Sequence, residues 1–245
     1  MNKTPESLLA SMEYPGRLIA LGISRAGDRA VTVYAITGRS PSSQARRLVA
    51  RDGGVWVEPT DEATLKKGNV DLLVYPAILF DGGGLAVSNG KQTGDIRAGL
   101  AGGGTPVSVL AEALKRWDYE PDSPIFTPRI SGCLARREAA LSVVRRGPSG
   151  AALRSYFEVP LQPGKARLIS TYMGPNRDPL PCFEGEPREI VIEGASPRET
   201  AGFIYEALKP KRAEKDFRVA VACLYTTLDG RGGPDLHIVN RHERT

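Results

Sequence analysis

RLIALGISRAGDRAVTVYAI, residues 17–36, decides how the chain is read. Two apolar runs, 17–23 and 30–36, flank SRAGDR, a short polar segment with one glycine. Strand-length runs rich in Val, Ile, Leu and Tyr around such a break predict a β-hairpin. The pattern repeats downstream. RRLVAR, DGG and VWVEP read as a second hairpin. VDLLVYPAILF (70–80) is a nearly unbroken apolar run that fits a strand buried on both faces, and GLAVSNG follows it after a DGGG turn. RISGCLA, AALSVV, AALRSYFEV, ARLISTYMG, EIVIEG, FRVAVACLYTT and LHIVN are further strands.

Two helices interrupt the strands. From Pro106 to Trp117, residues Val107, Leu110, Leu114 and Trp117 recur at helical spacing, with Thr105 as cap and Pro106 at the first position. The second starts at Ser196, with Pro197 at N1 and Glu199 at N3 in a capping-box pattern, and Ile204 and Leu208 on one face. Many strands and few helices predict an α+β protein with sheet packed on sheet and helices outside. Neither a linker nor a clean repeat divides the chain.

Composition excludes several classes. With 41% apolar and 25% charged residues, the 245-residue chain is of ordinary globular type. It has no apolar run long enough to cross a membrane and no signal-peptide core, so a cytoplasmic protein is expected. Cys133, Cys182 and Cys223 stand far apart, without a CxxC or a Cys/His cluster, which argues against both a disulfide framework and a zinc site. The two histidines, His237 and His242, both lie near the C-terminus, a poor basis for a Ser-His-Asp triad. No Walker loop or dinucleotide fingerprint is present; DGGGLAVSNG and LAGGGTP read as tight turns. The net charge of +5 is spread over scattered basic residues, including Arg46-Arg47 and Lys209 to Arg212. It reads as a solvated surface, or as a positive cleft for an anionic small molecule, and not as a nucleic-acid interface.

Four segments place reactive side chains beside turn residues: YPGR with Tyr14 and Arg17; YAITGRSPSS with Tyr34, Arg39 and Ser40; VSNGKQTGD with Asn89, Gln92 and Thr93; and WDYEPDSPIFTPRI with Tyr119, Glu120, Asp122, Thr127 and Arg129. A guanidinium flanked by hydroxyls suits phosphate or carbonyl oxygen. Each segment also has a plainer reading. Asn-Gly is a common hairpin signal, Arg39 fits a surface charge, and Tyr34 and Tyr75 fit core positions. The fourth segment stands apart. Pro121, Pro124 and Pro128 stiffen it, and preorganised polar groups are what a site requires.

Taken together, YPGRLIALG, YAITGRS, VSNGKQT, DYEPDSPIFTPRI, PLPCFEGEPR and HIVNRHER resemble the archaeal-type IMP cyclohydrolase family and its bacterial relatives, in family order from Tyr14 to Arg244. The resemblance implies a four-layer α-β-β-α fold similar to N-terminal nucleophile hydrolases. It implies residues 14–245 as one domain behind an extension, 1–13, expected to be disordered or a docking tail. Met1 precedes Asn2, so removal of the methionine exposes no nucleophile of the kind those hydrolases use.

The implied reaction is closure of 5-formamidoimidazole-4-carboxamide ribonucleotide to IMP with loss of water, needing no cofactor and no metal. Tyr34, Arg39, Tyr75 and Glu120 are the catalytic candidates. Arg17, Ser40, Asn89, Gln92, Thr93, Tyr119, Asp122, Thr127 and Arg129 are the candidates for substrate binding. The expected partner is a purine-precursor ribonucleotide, with no nucleic acid or membrane and with a homo-oligomer as one way to cover sheet edges. A related reaction on another imidazole or formamido nucleotide, and a non-catalytic purine-nucleotide sensor, are the alternatives. The chain departs from the family in two respects: the extension precedes Tyr14, and Gly94 separates Thr93 from Asp95, where archaeal members tend to place the acid directly after the threonine.

Overall fold

The structure, a computed structural model, describes residues 8–9, 11–51, 53–61, 63, 74–209, 216–229 and 233–243. The start of the VDLLVYPAILF run, most of the Lys209–Arg212 cluster and residues 1–7 and 10 of the extension lie outside these.

Among the described residues thirteen strands form two sheets, and every strand pairing within them is antiparallel. One sheet is a continuous meander of seven: β3 (Arg46–Arg51), β4 (Gly54–Pro59), β5 (Tyr75–Asp81), β6 (Gly84–Ser88), β7 (Arg129–Ala135), β8 (Glu138–Arg146) and β9 (Ala152–Glu158). The other is assembled from distant parts of the chain. It contains β1 (Arg17–Ile23), β2 (Arg29–Thr37), β10 (Lys165–Ser170), β11 (Arg188–Val191), β12 (Arg218–Thr227) and β13 (Asp235–Asn240), in the order β11-β10-β1-β2-β12-β13. Among the described residues, the sheets are flanked by the helices α1 (Pro41–Gln44), α2 (Gln92–Ala101), α3 (Pro106–Ala113) and α4 (Pro197–Ala207).

The expected hairpin forms, with Arg17 opposite Ile36 and Ile19 opposite Tyr34. Side chains alternate across a strand, so each hairpin strand feeds two cores. Ile19, Leu21, Tyr34 and Ile36 face the second sheet and share a core with Leu48, Val55, Ile78, Leu85 and Ile130. Leu18, Ala20, Val31 and Val33 face the other way and pack under Ile204 and Tyr205 of α4. On the far side of the seven-stranded sheet, Ala86, Cys133, Ala140 and Val144 pack under Ile96 and Leu100 of α2 and Val109 and Leu110 of α3. Burial on both faces is why 17–23 reads as an unbroken apolar run.

Both expected N-caps form, but the capping box at Ser196 is only half made. Thr105 accepts from Ser108 N at 3.3 Å and Ser196 accepts from Glu199 N at 3.2 Å. Glu199 reaches back one residue further than a capping box requires, to Ala195 N at 2.9 Å. The α3 helix is shorter than expected: it ends at Ala113, and Leu114 and Trp117 follow in turns that still pack on the same core. The α2 helix is a correction to the reading of VSNGKQTGD as a turn alone. The turn exists, but it opens a ten-residue helix. The described residues of the segment before Tyr14, 8–9 and 11–13, are a second finding at odds with a free tail. Leu8, Leu9 and Met12 are buried in the core beneath α4, and Glu13 N donates to Gly174 O at 3.1 Å.

Candidate active site

A cavity of about 440 Å³ opens at one end of the core between the sheets. Its floor follows from strand alternation. Arg17 is two residues from Ile19 on β1, and Arg46 two residues from Leu48 on β3, so both arginines point into the inter-sheet space where the apolar rows end. Both line the cavity, and both have a buried nitrogen, Arg17 Nε and Arg46 Nη2, without a partner among the described residues. Tyr34 and Tyr75 are 0% and 1% exposed, and their hydroxyls bond each other at 2.8 Å. They lie beneath the lining and feel the charges of Arg17 and Arg46.

Glycine makes this end of the sheet possible. Gly16 enters β1 at φ +72°, and a Cβ there would lie 2.1 Å from Thr171 Oγ1. At Gly38 a Cβ would lie 2.5 Å from the carbonyl carbon of Ser43, so only glycine lets α1 fold back over the end of β2.

The wall is the proline-stiffened loop. Glu120 N donates to Thr127 O at 2.9 Å. Thr127 donates its backbone N–H to Asp122 Oδ1 (2.7 Å) and its hydroxyl to Asp122 Oδ2 (2.5 Å). The Thr127 hydroxyl is thereby left to accept from Tyr172 OH at 2.6 Å. Tyr172 stacks on Tyr14, with Leu180 beside them, and forms an apolar side to the cavity. At the rim, Arg39 lies over the Tyr14 ring and donates to Asn176 Oδ1 (3.0 Å) and Asp178 Oδ1 (3.3 Å). Ser40 caps α1, accepting from Ser43 N at 3.1 Å, and Ser40, Ser42 and Ser43 all line the opening.

Behind Glu120 stands a chain of amides. Asn89 Nδ2 donates to Glu120 Oε1 (3.1 Å) and Pro128 O (2.9 Å). Its Oδ1 accepts from Ile130 N (2.8 Å) and from Gln92 Nε2 (3.2 Å). Gln92 Oε1 in turn accepts from Arg129 Nη1 at 3.1 Å, and Arg129 Nε donates to Asp118 O at 2.8 Å. All of Asn89's hydrogen-bonding capacity is used within the protein. Burial is the largest influence on Glu120 and pushes its carboxyl up to about 7, with Arg17, Arg129 and Arg46 pulling it down and Asp122 adding to the rise.

Of the residues expected at a site, the structure brings Arg17, Arg39, Ser40, Glu120, Asp122 and Thr127 onto one cavity. Tyr34 and Tyr75 lie below it, and Asn89, Gln92 and Arg129 behind it. Thr93 is spent locally, bonded to Ser88 Oγ and Gly90 O. Tyr119 points away, donating to Gly150 O at 2.8 Å and packing edge-on against Phe126. Asp95 accepts from the Trp117 indole at 2.7 Å, outside the cavity. The sequence reading missed Arg46, Tyr172 and Ser43 as lining residues, and it left Tyr14 and Ser42 in their segments without a role. Arg46 corrects the reading of Arg46-Arg47 as solvated surface.

Among the described residues no group of three or more His, Cys, Asp or Glu side chains is placed to hold a metal ion, and all three cysteines are free. No described helix is long and apolar enough to cross a membrane. The cavity carries phenols, hydroxyls, two deep cations and a carboxyl poised near neutrality. Such a set can bind an anion and move a proton.

Residues 14–230 match the model of a family described as IMP cyclohydrolase-like protein. Over 192 residues the chain is 29% identical to the IMP cyclohydrolase of Methanothrix thermoacetophila, covering 78% of this chain and 85% of the relative. It is 33% identical over 181 residues to the IMP cyclohydrolase of Natronomonas pharaonis, covering 74% and 84%. A third IMP cyclohydrolase, from Haloquadratum walsbyi, is 30% identical over 159 residues, covering 65% and 71%. The family match begins at Tyr14 on the wall of the cavity and spans every side chain that lines it, and on that extent the chain belongs to the IMP cyclohydrolase-like family.

Proposed function

We infer that this protein is an IMP cyclohydrolase. It closes 5-formamidoimidazole-4-carboxamide ribonucleotide to IMP with loss of water, the last step of purine biosynthesis. The observation that carries the reading is Glu120, a buried carboxyl at about 7 on the wall of a cavity of ligand size whose floor is two arginines.

In the reaction the carboxamide nitrogen attacks the formyl carbon of the same molecule. The nucleophile is tethered already, so the site has to hold a near-attack conformer and handle protons. Glu120 takes the proton from the attacking nitrogen and returns one to the oxygen that leaves as water. A carboxyl near neutrality suits both duties. Arg17 stands beside Glu120 electrostatically and is the candidate to polarise the reacting carbonyls. Arg39 and the serines of α1 hold the phosphate at the rim, where charge-assisted bonds to a guanidinium are strong.

Tyr34 and Tyr75 support Arg17 from below, and Asn89 fixes Glu120 through Oε1, which leaves Oε2 for the substrate. Asp122 and Thr127 hold the loop closed. Two packed sheets with helices outside them support a four-layer α-β-β-α reading similar to N-terminal nucleophile hydrolases, with 14–245 as one domain on which the described residues of 8–13 pack. A cytoplasmic location belongs to the same reading, and so does a homo-oligomer that covers the sheet edges.

The test is the ultraviolet absorbance change when purified protein meets the formamido ribonucleotide, run beside Glu120→Gln. IMP formation by the wild type and its loss in the variant support the reading. Tight binding without turnover would move the protein to the sensor class.

A further inference from the structure

The core beneath α4 also ends in charge. Along β2, Val33 and Val31 pack under α4, and Arg29 lies two residues before Val31, so its side chain leaves the strand on the same face. Tyr225 of β12 belongs to that core, and Asp235 of β13 stands opposite Tyr225, so it faces α4 as well. A second cavity, of about 500 Å³, opens where these rows end. It lies at the Ile23 end of the β1–β2 hairpin, whereas Arg17 and the candidate active site lie at the other end. The two cavities share no lining residue.

Arg29 is held in place but left incomplete. Its Nη2 donates to Tyr225 O at 2.8 Å, which draws the guanidinium across β12 toward β13. Its Nε is buried and has no partner among the described residues, a costly state for a donor. The Tyr225 hydroxyl is already engaged, donating to Gly194 O (2.8 Å) and accepting from Thr200 (2.8 Å), so the cavity meets the ring and not the hydroxyl. Asp28 accepts from Ser24 through Oδ1 at 2.8 Å, which leaves Oδ2 for a ligand. Asp235 is an exposed carboxylate at the start of β13.

This lining does not suit an anion. Asp28 and Asp235 offset Arg25 and Arg29. The start of α4 is occupied too: Ala195 N donates to Glu199 Oε2, Glu199 N to Ser196 Oγ and Thr200 N to Ser196 O, and Pro197 has no N–H. What remains of the lining is apolar: Ala26, Ala195, Pro197 and the Tyr225 ring. A balanced pair of donor and acceptor beside apolar walls fits a neutral, flat ligand with its own acceptor next to its own N–H. A lactam, a ring carbonyl beside a ring N–H, carries that pair on one edge. The volume is within the range of about 300–1,000 Å³ usual for small organic ligands.

We propose that this cavity is a binding site for a keto nucleoside, with the ring carbonyl on Arg29 Nε, the ring N–H on Asp235 and the sugar hydroxyls on Asp28. The site is separate from the candidate active site and does not depend on the cyclohydrolase reading.

Calorimetric titration of the full chain with inosine is the test. Inosine has the lactam edge and no phosphate. The wild type is expected to bind it at one site per chain with Kd below about 1 mM. Glu120→Gln is expected to bind it equally well. Asp235→Ala is expected to bind it about 10- to 100-fold more weakly, because hydrogen bonds to charged groups are the strong ones. Asp235 is exposed, so this variant is expected to melt as the wild type does. Arg29→Met should weaken binding to a similar degree, with a melting curve to report any cost of losing the bond to Tyr225 O. Adenosine has an amino group beside an unprotonated ring nitrogen, the reverse order of donor and acceptor, and is expected to bind at least about tenfold more weakly than inosine.

Absence of saturable inosine binding at this strength overturns the proposal. So does an unchanged affinity in Asp235→Ala. Binding lost in Glu120→Gln and kept in Asp235→Ala places the nucleoside in the other cavity and overturns it too. Adenosine bound as tightly as inosine removes the lactam assignment, and binding of inorganic phosphate that Arg29→Met abolishes makes this an anion site instead. None of these measurements uses turnover. A failure here therefore leaves the cyclohydrolase reading standing, and an inactive wild type leaves this site standing.

Discussion

Burial holds the Glu120 carboxyl at about 7 against an ordinary 4.5, and this links activity to stability. Above the unfolded value the native state keeps a proton that the unfolded chain has released. The stability this gives is complete below 4.5 and is lost as pH rises through about 7. Between pH 5 and pH 8 the wild type should lose about 2–3 kcal/mol that Glu120→Gln does not lose, read as the difference of their denaturant curves. The same group should set an acid limb in the kcat/KM profile near its own value.

Asn89 donates to Glu120 Oε1 and so favours the charged form. Asn89→Ala should move that limb to higher pH and lower kcat by about tenfold. A limb that stays in place would show that Asn89 does not tune the carboxyl. The carboxyl itself was legible in the sequence, because three prolines around two acids and a threonine have no use in a solvated turn. Arg46 was not. Arg46 and Arg47 are adjacent and identical in type, and only the second sheet determines that one of them faces inward while the other pairs with Glu58.

At the scale of elements, strands that alternate or run apolar between turns were legible, and so were α3 and α4, which carry caps and prolines at their starts. The α2 helix was hidden by its composition. Gly94 and Gly99 weaken its helical signal, and Gln92 and Thr93 are buried polar residues where an apolar stripe is looked for. Gly99 has a packing purpose: a Cβ there would come within 3.2 Å of Val109 Cγ1, so the glycine lets α2 and α3 lie close.

Glycines elsewhere give a paired prediction. Gly202 lies inside α4, and a Cβ added there meets nothing within 4 Å. Gly202→Ala should therefore stabilise the protein by about 0.5–1 kcal/mol. Gly16→Ala forces a side chain into a positive-φ position and against Thr171, so it should destabilise by about 1–3 kcal/mol or more and displace the entry to β1. Thermal or denaturant unfolding of both variants checks the pair. Stabilisation by Gly16→Ala would contradict the close approach of β1 to Thr171.

For the whole molecule, the cavity depends on segments far apart in the chain, and the segment before Tyr14 is one of them. Leu8, Leu9 and Met12 fill the core beneath α4, and each buried side chain of this size contributes about 1.5–3 kcal/mol. The same segment holds the loop after β10: Glu13 N donates to Gly174 O, and Glu13 Oε2 accepts from Asn176 N at 3.0 Å. Asn176 is the residue to which Arg39 donates at the rim. The segment is thus coupled to the proposed phosphate subsite through the loop, and only distantly to Glu120 on the wall.

Two variants separate these duties. Leu9→Ala should cost about 2–5 kcal/mol of stability and leave kcat and KM near wild type at low temperature. Glu13→Ala should cost little stability, since its partners are near the surface. It should raise KM several-fold at nearly constant kcat, because the loop that orients Arg39 loses an anchor while the proton-handling wall is untouched. Steady-state kinetics with the formamido nucleotide, beside a melting curve for each variant, decides it. A fall in kcat for Glu13→Ala at constant KM would place Arg39 at the reacting end of the substrate and not at its phosphate.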